Sequence, residues 1–342
     1  MKLCLMSKKD YHCLDLIKKI IKINPEEINK QNNYGYTALM IVCRNISCDS
    51  DLEILELLIS NPLTDFNKRN KVGWTALMML CRFGKNKKCV TALQMLLRDK
   101  RLDVNMVDSR GWSSFMMACR YAGSDSSADI VKTLLEYGSL DINKTNDDGW
   151  NAFMLASRYS KKESHIDVVR LLIKHPQLNV NNMDKKGRTA LIKSCMFSNS
   201  TSTVETAKVI LEHPSIDVNI QDHEGWTALM CSARMSNKTS CDRVVELLLS
   251  ASDIDINKKE KSGWNALMMA ARYCDTDSSS KTVALLLGNE NINVNESIDG
   301  WNSLTLALKS VDNNNGLETV KHLLNHPKID HILKNIHSKY LN

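Results

Sequence analysis

Three kinds of side chain recur at fixed spacing along this chain and could together form a recognition surface. All six tryptophans (Trp74, Trp112, Trp150, Trp226, Trp264 and Trp301) directly follow a glycine. Eight residues beyond them stand Arg82, Arg120, Arg158, Arg234, Arg272 and Lys309. The next position holds an aromatic ring in Phe83, Tyr121, Tyr159 and Tyr273. Counting Arg44, six of the 13 arginines share one register, so their placement is not random. Trp, Tyr and Arg dominate protein-binding hot spots, because rigid rings and a planar donor fork give much contact for little lost entropy. A guanidinium also stacks on an indole. The same rows can be read as packing, with each Trp covering its neighbour and each Arg bonding carbonyls at a helix end. The candidate binding residues are Trp74, Arg82, Trp112, Arg120, Tyr121, Trp150, Arg158, Tyr159, Trp226, Arg234, Trp264, Arg272 and Tyr273. Arg120→Ala with Trp150→Ala is expected to abolish partner capture without unfolding the chain.

Other chemistry is not indicated. No nucleophile–base pair, Gly-rich phosphate loop or paired acid stands out, so neither an enzyme nor a cofactor is expected. His175, His213 and His326 precede prolines, where they suit the dipole and last carbonyls of a helix. His322, His326, His331 and His337 are denser, but Pro327 interrupts their helix and no metal is expected. Met40, Met78, Met116, Met154, Met230 and Met268 read as core filler rather than a copper site. Eleven cysteines, an odd number, form no C-x-x-C pair. Cys43, Cys81, Cys119 and Cys195 share a position that is elsewhere Ser157, Ala233 or Ala271, which suits small buried filler in a reduced, intracellular protein.

The glycines that set this spacing are 35, 73, 111, 149, 187, 225, 263 and 300, each 38 residues apart but for a last step of 37. One copied supersecondary unit is implied. Two residues after each glycine is an N-cap type (Thr37, Thr75, Ser113, Asn151, Thr189, Thr227, Asn265 and Asn302), opening a first helix with apolar residues at helical spacing. A polar stretch follows. Ser50, Ser126, Ser164, Ser202, Ser240 and Ser278 then read as N-caps of a second helix, with an acid such as Glu53, Asp129 or Glu205 completing a capping box. That helix carries an aliphatic pair such as Leu96-Leu97 or Leu172-Ile173. Prolines 62, 176, 214 and 327 are expected to halt it. A short extended piece ends in an Asn at 29, 67, 105, 143, 181, 219, 257 and 295, and a turn leads to the next glycine.

This arrangement resembles the ankyrin repeat, in Gly225-Trp226-Thr227-Ala228-Leu229-Met230, then Val245-Glu246-Leu247-Leu248-Leu249, then Asp255-Ile256-Asn257. The resemblance covers residues 12–332. It implies an all-α solenoid of helix-loop-helix units with short hairpin fingers. Against a usual unit of about 33 residues, four are added between the helices and one after the second. Ala or Ser replaces Pro of the family's T-P-L-H motif, and Met mostly replaces its His. The 38-residue phrasing is similar to ankyrin proteins of giant DNA viruses of amoebae. The resemblance also implies partner binding through finger tips, first helices and the groove between them, and it likens segments such as Leu97–Asn105 to sites of asparagine hydroxylation.

The expected organisation is a partial capping repeat at 1–34, eight repeats over 35–332 and a capping turn at 333–342, with no room for an F-box-type domain. No apolar run approaches the ~20 residues of a membrane span. The net charge of +6 is uneven: residues 1–110 hold 19 Lys/Arg against 12 Asp/Glu, and the remainder is near neutral. The function expected is non-catalytic, protein–protein interaction by a cytoplasmic monomer, with an acidic partner on a concave Trp/Arg/Tyr face. The alternatives are a passive scaffold using its inter-helix loops, and a weak nucleic-acid binder using the basic amino-terminal third, whose affinity would fall steeply with salt.

Overall fold

A computed structural model of the chain describes residues 12–311 and 314–330. It comprises two compact units, Met1–Asn179 and Val180–Asn342. In the first unit, α1 (His12–Ile23) and a 3₁₀ turn (Pro25–Asn29) precede α2 (Ala38–Asn45), α3 (Asp49–Ile59), α4 (Ala76–Phe83), α5 (Lys87–Leu97), α6 (Ser114–Tyr121), α7 (Ala128–Leu135), α8 (Ala152–Tyr159) and α9 (Ile166–Ile173). The second unit has α10 (Ala190–Met196), α11 (Val204–Leu211), α12 (Ala228–Met235), α13 (Asp242–Leu249), α14 (Ala266–Arg272) and α15 (Ser280–Leu287). There follow a two-residue hairpin, β1 (Ser297–Ile298) with β2 (Trp301–Asn302), then α16 (Ser303–Leu308) and α17 (Asn314–Asn325). Each glycine thus leads one first helix and one second helix.

First helices pack on first helices (α2 on α4, α4 on α6, α6 on α8; then α10 on α12, α12 on α14, α14 on α16), and second helices likewise form their own layer. Each unit is a helical repeat solenoid, with its core between the layers. A first helix is buried on nearly every side: Ala76 through Cys81 are all buried. A second helix buries only a stripe, such as Val168, Val169 and Leu172. Of each aliphatic pair the first member is buried, whereas the second is half-buried in most copies, such as Leu97 and Ile173. A fully buried Leu or Met is worth about 1.5–3 kcal/mol, so the first helices anchor the stack. The methionine row is buried throughout.

All eight first helices carry the expected cap. Thr75 Oγ1, for example, accepts from the Met78 N–H, and Asn151 Oδ1 accepts from that of Met154. Such a cap stabilises by about 1 kcal/mol. The second helix starts elsewhere than expected. Its caps are Cys48 and Asn86 in the first two copies, then Ser127, His165, Thr203, Cys241 and Ser279, one residue past the serine row. The reason lies in the inserted loop. The Tyr121 carbonyl collects the N–H groups of Ser124, Asp125 and Ser126, and the Tyr159 carbonyl those of Lys162, Glu163 and Ser164. This turn buries the serine, which reaches back one copy: Ser164 Oγ donates to the Cys119 carbonyl at 2.6 Å and Ser278 Oγ to that of Ala233 at 2.7 Å.

The histidines before proline also act differently from expectation. Nδ1 of His175, His213 and His326 accepts the N–H two residues on, as the side chains of Asn61 and Asp99 do in other copies, so the imidazole shapes the finger turn and does not cap helix carbonyls. Residues 1–11 of the expected capping repeat, the turn expected at 333–342, and His331 and His337 lie outside the described residues.

The fingers are tied by a ladder of asparagines. Asn105 Nδ2 donates to the Ser139 carbonyl at 2.7 Å, and its Oδ1 accepts from the Asp141 N–H at 2.9 Å. Each of the eight asparagines makes the same pair of bonds to the following finger, which is why Asn recurs: its short amide donates from one arm while the other accepts. Asn105→Ala is expected to lower the stability of the first unit by about 1–2 kcal/mol in urea unfolding, and Asn105→Asp, which cannot donate, by a similar amount. Arg101 adds a clamp absent from the sequence reading. Its guanidinium donates to the carbonyls of Ile59, Pro62 and Asn61, capping α3 from the next copy, and stacks 4.7 Å from the Phe66 ring.

Candidate protein-interaction face

The finger-to-helix turn aims the Trp row. At Gly73 φ is +86°, and a Cβ would lie 2.6 Å from the Ser109 amide nitrogen, so only glycine lets adjacent fingers approach. Asn70 Oδ1 accepts the N–H groups of Val72 and Trp74, fixing the turn that delivers the indole. Trp74, Trp112, Trp150, Trp226 and Trp264 are half-buried, and Trp301 is exposed. Trp74 Nε1 donates to Asp108 Oδ2 of the next finger at 3.1 Å. The fifth copy, which has Arg188 in place of Trp, keeps this link: Arg188 Nε donates to Asp222 Oδ2 at 3.2 Å.

The Arg row is built into the stack. Arg82 lies 3.5 Å over the Tyr121 ring of the next copy and 4.9 Å from its own Phe83, with Nη1 2.6 Å from Asp125. Arg120 lies 3.8 Å over Tyr159, 5.2 Å from Tyr121 and 5.8 Å from Trp112, with Nη2 2.7 Å from Glu163. Both arginine side chains are only 18% exposed. Arg158 lies over Tyr159, and in the second unit Arg234 lies 4.4 Å over Tyr273 and 5.7 Å from Trp226. Arg272 stays near Tyr273 and bonds Ser310 Oγ at 2.9 Å. Guanidinium and ring therefore alternate from copy to copy, each contact worth about 0.5–2 kcal/mol. The Arg82 guanidinium, by hydrogen bond and charge, holds Asp125 below the usual carboxylate range. The sequence paired Arg with Trp; the tighter contact is with the ring of the following copy. Because Arg120 bridges two copies, its removal should weaken the stack as well as the surface.

Sequence reading also missed Lys193, the one charged residue in a row otherwise made of Ile41, Met79, Met117, Leu155, Cys231, Met269 and Leu306. It is buried against Asp184, both side chains being under 5% exposed. A lone cation in an apolar register was the available signal.

A cleft of about 500 Å³ opens between the second and third copies. Trp74, Arg82, Trp112 and Tyr121, four of the candidates, line it with Val72, Asp108 and Arg110. Such a volume suits a side chain or short peptide. Nine free cysteines are found among the described residues, and burial pushes the thiols of Cys43, Cys81, Cys119 and Cys195 well above their usual pKa. They pack as inert filler. No helix among the described residues is long and apolar enough to cross a membrane.

Stacked helix pairs with projecting fingers define a helical repeat protein. The family model for ankyrin repeats (3 copies) matches residues 3–94, 45–146, 85–184, 115–222, 165–260 and 236–335, and the chain belongs to the ankyrin repeat family. Among solved structures, the ankyrin repeat protein EF0377 is similar at 21% identity and TM-score 0.51, over 63% of this chain and 97% of that one. The ankyrin repeat domain of Bcl-3, a member of the IkappaB protein family, is similar at 20% identity and TM-score 0.56, over 74% of this chain and 99% of that one. Both likenesses concern the fold. No curated protein matches the chain. Ankyrin repeats are generally protein–protein interaction modules.

Proposed function

We propose that the chain is a non-catalytic, intracellular interaction module that captures an acidic protein segment on the face formed by its first helices and fingers. The carrying observation is the ring-lined cleft at that face, where half-buried indoles offer rigid apolar area beside arginine. The arginines behind the rings hold the surface in place, and the indoles and finger tips meet the partner. Free, buried cysteines suit a reducing compartment. The 38-residue phrasing makes an amoebal host protein, met by a viral product, the first class of partner to screen.

The loops are a poorer contact surface, since they bond to each other: Gly123 N–H donates to the Glu163 carbonyl, and Asn237 N–H to that of Asp277. Nucleic acid is disfavoured because the positive balance is confined to residues 1–110, the remainder being near neutral, and part of it is already paired, Lys88 with Asp49, Arg101 with Asp99 and Arg82 with Asp125. Immobilised full-length chain should capture a partner from host extract, and Trp112→Ser with Trp226→Ser should reduce capture about tenfold or more while the helical circular dichroism persists. Unchanged capture by that variant, or loss only when the loops are exchanged, would overturn the assignment to this face.

A further inference from the structure

Resting on the reading above, we infer that the cleft between the second and third copies binds an extended acidic peptide. The peptide places one aromatic or branched aliphatic side chain between Trp74 and Trp112 and a carboxylate against Arg110. Val72, at the tip of the second finger, is 53% exposed although it lines the cleft. Its backbone is committed, with N–H donating to Asn70 Oδ1 and the carbonyl accepting from Ser109, so the apolar side chain is left facing solvent beside two indoles. Met117 forms a buried floor. An apolar group entering there would displace water from Val72 and from two ring faces, the setting in which anchor residues contribute most.

The charges choose the sign of the ligand. Arg82 is held by Asp125. Asp108 has both carboxylate oxygens engaged, Oδ1 by the N–H groups of Arg110 and Trp112 and Oδ2 by Trp74 Nε1. Arg110 is exposed, and no carboxylate among the described residues pairs with its guanidinium. Arg69 and Lys71 are also exposed on the second finger. The lining thus offers one uncommitted fork for a carboxylate and no uncommitted acid for a cation.

The other copies serve as internal comparisons. Rings and arginines repeat, but the residue before the glycine changes: Tyr34, Val72, Arg110, Asp148, Lys186, Glu224, Ser262, Asp299. The fourth finger carries Asp147 and Asp148, which repel an acidic segment. In the second unit Lys261 is paired with Glu224 at 3.6 Å. An apolar tip next to an unpaired cation occurs where Val72 meets Arg110.

The test is selection of a random phage-displayed peptide library on the full chain, followed by fluorescence anisotropy of the enriched peptides. Enriched sequences should join Asp or Glu to Phe, Trp, Leu or Ile. Their affinity should fall about tenfold or more in Arg110→Glu and in Val72→Glu, with circular dichroism unchanged. Lys261→Glu, the same charge reversal in the second unit, should leave it within about twofold. Basic or anchor-free peptides, or undiminished binding to Arg110→Glu, overturn the cleft. Acidic peptides lost on Trp226→Ser but not on Arg110→Glu overturn the cleft and leave the broader face standing. Failure of every enriched peptide to respond to any Trp-row or tip change overturns both.

Discussion

Lys193→Ala is expected to destabilise the second unit by about 3–5 kcal/mol, because it strands the Asp184 carboxylate in a buried site. In the native chain burial works to raise the Asp184 pKa. The Lys193 ammonium and the N–H groups of Arg188 and Lys186 outweigh it, so the net value lies below the ordinary 3.8. A depressed folded-state pKa gives stabilisation that is present above the unfolded value and lost as pH falls through the folded one. The native second unit should therefore lose this contribution below about pH 3.8. In Lys193→Ala burial dominates and the carboxyl pKa rises. The deficit against wild type should then be largest near neutral pH and shrink as acid neutralises Asp184. Urea titrations at neutral and mildly acid pH measure both trends, and a pH-independent deficit would contradict the account. The double change Lys193→Met with Asp184→Asn recreates residues that other copies use, as in Met117 and Asn146, and should be neutral or stabilising by about 1–4 kcal/mol.

Arg120→Ala should lower the stability of the first unit by about 2–3 kcal/mol, combining loss of the Glu163 pair with loss of stacking on Tyr159 and Tyr121. Glu163 is 38% exposed and regains water, which keeps the loss below that of a fully buried pair. Arg120→Lys keeps the charge but not the planar fork, and should recover less than half. A double-mutant cycle of Arg120 with Tyr159 should show coupling of about 1 kcal/mol or more. Additive effects would mean that the ring contact is incidental. The sequence led us to expect that Arg120→Ala with Trp150→Ala would spare the fold; the bridging geometry predicts a measurable loss of stability alongside any loss of binding.

Local rules were legible where a residue answers to its own neighbours in the chain. Thr75 and its counterparts cap the first helix because their partner is three residues away. The proline row misled on cause. Second helices end at the same register in copies with Pro62 or Pro176 and in copies lacking it, such as α5 and α7, so the finger turn stops the helix and proline is merely compatible with it. The serine row was misread because its partner carbonyl lies one copy back, at Cys119 for Ser164.

The sequence by itself determined the repeat, its period, the first-helix caps, the apolar rows and the ankyrin character, because each is a local pattern copied in register. Tertiary structure alone decided what each recurring side chain touches. The offset between copies, set by left-handed glycines and the asparagine ladder, slides Arg82 onto Tyr121 and Trp74 onto Asp108. It also leaves Val72 and Arg110 facing solvent together. A spacing in the chain fixes direction along one helix, but contact across copies depends on that offset, to which no single residue type points.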